Sequence, residues 1–142
     1  MLEKDLPDDE SITNDELLYL RIFPDPDSIQ PRELGGYRPS SGSLKRNGQA
    51  LSVDLGSLST PEQTRDRDTK FPFHVAAFTA GIARVAGCKV ARAPEPGNSA
   101  HGLVIGNHER ADGSLNKGQI RKISHQATIV LLNPLAVGSN ST

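Results

Sequence analysis

The residues of this chain that are able to do chemistry fall in four short stretches. In "NSAHGLVIG", Asn98 to Gly106, His101 opens an apolar run with the Asn98 amide and Ser99 beside it. An imidazole titrates near neutrality, so His101 is the candidate general acid or base, and catalysis would require a partner that orients its ring. In "ALSVDLGSL", strand alternation turns Asp54 away from Leu51, Val53 and Leu55, which makes Asp54 the candidate orienting carboxylate. Arg21, after "LLYL", and Arg38, in "YRPSSGS", are candidate anion clamps. The hydroxyls of Ser40, Ser41 and Ser43, with loop amides, would complete a cradle for phosphate oxygens. Plainer roles compete with each of these. His101 would bond a backbone group or a loop carboxylate at the start of its strand, and Arg21 would be buried against Asp54.

Other chemistries lack their residues. No Gly-x-Gly-x-x-Gly follows a strand, no Walker loop is present, and Gly35–Gly36 stands alone, so the cofactor is left open. Of His74, His101, His108 and His125, the pair His101 and His108 is seven apart, which is neither a helical His-x-x-x-His nor a zinc-finger spacing, and no metal site is expected. Cys88, the single cysteine, rules out a disulfide framework or a cysteine zinc cluster within one chain and suits a reducing cytoplasm. The first residues are acidic where a secretion signal needs a basic head, and no apolar run reaches membrane-span length, so no membrane association is expected. Basic residues are scattered, with small patches at "RKISH" and "LKRN". With aromatics at 4% and placed in apolar runs, nucleic acid is a disfavoured partner.

The elements that must position these groups are readable in outline. The 142 residues suffice for one domain, and an apolar content of 35% implies that part of the chain lies outside its core. Residues 1–16 carry seven acids and one lysine, leaving a weakly basic body. Residues 1–14 are therefore expected as an acidic flexible arm, able to dock on a partner or on the body, 15–134 as one domain, and 135–142 as a flexible tail. "ELLYLRIF" predicts a first strand, followed by a Pro, Gly and Ser-rich connection over 24–47. "ALSVDL" predicts a second strand. Thr60, Pro61 and Gln63 spell a capping box for a short charged surface helix. A strand over "FPFHVAAF" and a helix from Thr79 to Gly87 follow, the latter with Ile82, Val85 and Ala86 as its buried stripe. "CKVARAP" and "AHGLVIG" are expected as two strands of a hairpin joined through "EPGNS", a loop longer than the tight two-residue types. The last helix starts at a Ser114 cap, and "TIVLL" is either a closing strand or the end of that helix. The pattern predicts an α+β fold: a small mixed or mostly antiparallel sheet with two to three helices, and disordered termini.

The ordered segments "LYLRI", "YRPSSGSL", "LSVDLGSLSTPE" and "NSAHGLVIG", spanning roughly Tyr19 to Gly106, resemble a group of small uncharacterised bacterial proteins sharing RPSS, SVD, TPE and N-x-A-H-x-x-V-x-G segments. That resemblance implies a bacterial source and adds weight to these positions, without implying a reaction. The chain is also faintly similar to compact ADP-ribosyltransferase-like domains that use NAD, which place Arg or His on the first strand and Ser or Tyr on the next. It lacks the acidic residue that family carries on a late strand, here "HGLVIG".

Two function classes follow. The favoured one is a small accessory protein, an adaptor, immunity or defence component, that binds a protein partner or a small anionic ligand through Arg21, Arg38, Ser40, Ser41, Asn98 and His101. The alternative is an enzyme acting on a nucleotide-like phosphate substrate by ADP-ribosyl transfer or phosphoester chemistry, with the arginines as clamps, His101 as acid or base and Asp54 orienting it.

Overall fold

Alternation in "LLYLRI" sends Leu18, Leu20 and Ile22 to one face of a strand and Tyr19 and Arg21 to the other. That division organises the whole molecule. The computed structural model describes residues 5–45, 49–106, 110 and 112–133. Its strands are β1 (Leu17–Ile22), β2 (Ile29–Pro31), β3 (Tyr37–Pro39), β4 (Leu51–Leu55), β5 (His74–Thr79), β6 (Lys89–Arg92), β7 (His101–Ile105) and β8 (Thr128–Leu131). The α-helices among the described residues are α1 (Ser41–Lys45), α2 (Pro61–Asp66), α3 (Ala80–Val85) and α4 (Lys117–Gln126).

Six strands form one sheet in the order β6-β7-β4-β1-β5-β8, and every neighbouring pair is antiparallel. The fold is a single-domain α+β architecture. Leu18, Leu20 and Ile22 join Val53, Leu55, Phe78, Val90 and Val104 in the main core, closed by Ala80, Ala83 and Ala86 of α3 and Ile120 and Ile123 of α4. A smaller cluster of Ala50, Ala91, Leu103 and Ile105 lies apart from it, with Leu6 packed against it. No described helix is long and apolar enough to cross a membrane.

Local chemistry explains the element ends. Thr60 and Gln63 form the reciprocal capping box of α2, and Asn116 and Gln119 form that of α4. The cap of α4 is thus Asn116 rather than Ser114, which is buried in the preceding turn. On α3 the buried positions are Ala80, Ala83 and Ala86; Val85, expected inside, is 82% exposed because the six-residue helix is rolled to set its small residues on the core. "TIVL" is a strand paired with β5.

Within the 24–47 connection, residues 24–45 are more structured than their composition suggests, and 46–47 lie outside the described residues. After a single 3-10 turn at Pro26–Ser28, β2 and β3 pair as a ribbon whose turn passes through Gly35 and Gly36, both at positive φ, which glycine adopts without steric cost. Arg32 reaches the Ala127 carbonyl at 2.7 Å, so the ribbon is fastened to the end of α4. The one-turn α1 then follows.

The acidic arm is likewise packed where it is described. Asp9 N–H donates to the Val90 carbonyl at 2.8 Å, the Asp8 carboxylate accepts from Val90 N–H at 2.9 Å, and Ile12 is fully buried in the main core. Arg84 and Arg92 pair with Asp8 and Asp9, so the arm's charges meet basic residues of the body. Residues 135–142 and His108 lie outside the described residues.

Candidate functional site

Tyr19 and Asp54 are register partners across β1 and β4, and Asp54 and His101 are partners across β4 and β7. One row of the sheet therefore presents Tyr19, Asp54 and His101 side by side on the face away from α3 and α4. Pairing between β1 and β4 is confined to Leu18–Leu55 and Tyr19–Asp54. Past that point the two strands part, and a cleft of about 540 Å³ opens between Arg21 on one side and Ser52 on the other. The segment after α2 supplies Arg67, Asp68 and Lys70 to its wall, and the β6–β7 loop supplies Glu95 and Asn98.

Asp54 is the hub of this wall. Its Oδ2 accepts from Thr64 Oγ1 at 2.8 Å and from Arg67 Nε, and its Oδ1 accepts from Asn98 Nδ2 at 2.9 Å. Burial penalises the charged carboxylate, but the hydrogen bonds from Asn98, Arg67 and Thr64 outweigh it, and the pKa lies below the ordinary aspartate value. Asn98 is committed too, because its Oδ1 accepts from Ala100 N–H at 3.1 Å. The carboxylate thus ties α2 and the β6–β7 loop to the sheet, and both of its oxygens carry hydrogen bonds.

His101 is held with equal economy. Nδ1 lies 2.6 Å from the Ala93 carbonyl and Nε2 lies 3.0 Å from Glu95 Oε1. Two oxygen acceptors face the two ring nitrogens, so a protonated ring donates to both, while a neutral ring satisfies one. No hydrogen bond joins His101 to Asp54, and the expected acid–base dyad is not formed.

Arg21 does not pair with Asp54, whose cation is Arg67. Its Nη1 donates to the Thr64 carbonyl at 3.3 Å, and its guanidinium lies 5.7 Å from the centroid of Phe73. Among the described residues its other donors have no hydrogen-bond partner, and Arg21 lines the cleft. Lys70 also lines the wall, where its backbone N–H donates to Asp68 at 2.9 Å.

Arg38, Ser40 and Ser41 stand elsewhere. Arg38 Nη1 donates to Ser124 Oγ of α4 at 2.7 Å and Nη2 donates to Gln30 Oε1, which locks β3 onto α4. Buried Ser40 accepts from Ser43 N–H at 3.2 Å and Ser41 begins α1, so the RPSS stretch builds local structure instead of sharing an anion site with Arg21. Of the sequence candidates, the cleft gathers Arg21, Asp54, Asn98 and His101.

Tyr19, Thr64, Arg67, Lys70 and Glu95 were not singled out. For Thr64, Arg67 and Lys70 the one available signal was the density of charge after the Thr60 cap, "EQTRDRDTK", which also describes a solvated helix; Tyr19 and Glu95 carried none. Among the described residues no group of three His, Cys, Asp or Glu side chains is placed to hold a metal ion. Burial pushes the Cys88 thiol up to about 12, which leaves it inert as a nucleophile near neutrality. Compared with known proteins, the chain matches no protein-family model, no curated protein and no solved structure.

Proposed function

We propose that the protein binds a small anionic ligand in the cleft between β1 and β4, as a ligand-binding accessory protein. One observation carries this reading. Arg67 is spent on Asp54 and Glu95 on His101, which leaves Arg21 and Lys70 facing the open space against Asp68 alone. Guanidinium and ammonium groups beside one cleft, with Tyr19 in the same wall, suit phosphate or carboxylate oxygens. The lone buried thiol fits a reducing, cytoplasmic setting.

The binding test is a thermal-shift and calorimetric titration with inorganic phosphate, pyrophosphate, ADP and a dicarboxylate. A ligand at about 100 times its Kd raises stability by roughly 2.7 kcal/mol. Arg21→Gln and Lys70→Gln should each weaken binding, whereas Arg38→Ala should lower stability and leave affinity alone. No response to any of these anions, or binding indifferent to both cleft substitutions, sinks the proposal.

A catalytic reading draws on the His101–Glu95 pair at 3.0 Å, a carboxylate and imidazole on one cleft wall. It would need the His101 ring to exchange one of its two protein partners for substrate. Turnover of NAD or ADP that vanishes in His101→Gln would favour it over simple binding.

A further inference from the structure

A groove of about 660 Å³ runs between α3 and α4, on the molecular face opposite the cleft. Its apolar side comes from α3: Ile82, Ala86 and Val85, the last 82% exposed. Its other side comes from α4, where Arg121, Lys122 and His125 are all exposed. The α4 sequence "KGQIRKISHQ" contains no acidic residue, and none lines the groove. Among the described residues, no ion pair or hydrogen bond engages the side chains of Arg121, Lys122 or His125.

An apolar strip bordered by charge of one sign is complementary to an amphipathic segment bearing the other sign. We propose that the α3–α4 groove docks an acidic amphipathic segment of a partner protein. Its apolar side chains rest on Val85 and Ile82, and its carboxylates face Arg121, Lys122 and His125. The same chemistry is seated next to the groove already: Arg84 of α3 holds the Asp8 carboxylate at 3.1 Å and the Asp9 carbonyl at 3.0 Å, both from the chain's own acidic segment. A nucleic acid is served less well, because no aromatic residue lines the groove to stack on bases. An anionic bilayer is served less well, because Val85 is the one strongly exposed apolar side chain there.

The probe is a fluorescein-labelled helical peptide with Leu at i, i+3, i+4 and i+7 and Glu on its remaining face. It is titrated with the full chain by anisotropy at two salt concentrations. A Lys-for-Glu peptide, single-stranded DNA and phosphatidylserine vesicles are run in parallel. The acidic peptide should bind, more weakly at high salt. Val85→Glu and the double variant Arg121→Glu/Lys122→Glu should each cost about tenfold or more in affinity. These positions are exposed, so circular dichroism and melting should match wild type, and the milder Val85→Ser gives a second reading of the apolar side. Arg21→Gln should leave peptide affinity unchanged, which separates this site from the cleft. Absence of saturable binding, equal binding of the Lys peptide, undiminished binding by the variants, or binding to DNA or vesicles alone would each overturn the proposal.

Discussion

Asp54 and His101 stand directly across the β4–β7 ladder from one another, yet each spends its hydrogen bonds elsewhere. Asp54 takes Thr64, Arg67 and Asn98; His101 takes Ala93 and Glu95. The pair that most resembles a catalytic dyad in the sequence is thus two separate anchors. Asp54 secures α2, and His101 secures the loop between β6 and β7. The groups left for a ligand are the cations beside them.

Asp54→Asn should be costly, because it leaves the part-exposed Arg67 guanidinium facing an amide at a buried carboxylate position. Breaking a buried pair by removing one partner costs on the order of 3 kcal/mol. Urea unfolding at neutral pH measures this, and a loss below about 1 kcal/mol, the scale of an exposed pair, would show that solvent screens the hub. The sign of its pH dependence is also fixed. The folded pKa lies below the ordinary 3.8, so the wild-type advantage is whole above that value and shrinks as pH falls through the folded pKa.

His74 should make the fold weaker in mild acid. It lies fully buried at the start of β5, Nδ1 accepts the Asn133 N–H at 2.9 Å, and Nε2 has no partner among the described residues. Burial lowers its pKa below 6.5, so the unfolded chain binds the proton first, and stability present above 6.5 declines as pH falls toward the folded value. Unfolding free energies between neutral pH and pH 5 should fall in wild type and run flatter in His74→Leu. Parallel slopes in the two proteins would assign the acid sensitivity to other groups.

The acidic segment should contribute to stability through Ile12 more than through its charges. Ile12→Ala empties a fully buried site in the main core and should cost about 2–5 kcal/mol. Asp8→Ala removes a part-exposed pair with Arg84 and an acceptor for Val90 N–H, and should cost about 1 kcal/mol. Melting temperatures of the two variants test the ranking, and an unchanged midpoint in Ile12→Ala would mean the segment is undocked in solution.

Gly106→Ala should disrupt the passage from β7 toward α4. A Cβ there would lie 2.4 Å from Leu115 Cα and 2.7 Å from the Ser114 carbonyl oxygen, both backbone atoms that move only with the chain. Overpacking of this kind costs about 1–3 kcal/mol or more. The variant's melting curve checks it; a wild-type midpoint would show that the turn relaxes freely.

Local physics made much of the fold legible. The alternation of Leu51, Val53 and Leu55 marked β4, and the Thr60, Pro61 and Gln63 spacing marked α2 with its reciprocal cap, because both depend on neighbours within a few residues. Strand periodicity also placed Asp54 on the face away from the apolar residues, and the β6–β7 pairing followed from two strand patterns with a turn between them. Val85 was misplaced since a six-residue helix offers too few turns for its stripe to decide its roll. The order of residues 24–45 was hidden because their anchors, Ser124 and Ala127, lie more than eighty residues away.

By itself, then, the sequence determined which residues could form strands and helices, which side of β4 Asp54 occupies, and that one domain of α+β type would result. Tertiary structure alone decided that Arg67 and not Arg21 neutralises Asp54, that Arg38 serves α4, and that β1 and β4 part to open a cleft lined by Arg21 and Lys70. The physical reason is range. Propensity and periodicity act over a turn of helix or a pair of strand residues, whereas the competition of two arginines for one carboxylate is settled by which of them the folded backbone brings within hydrogen-bond reach.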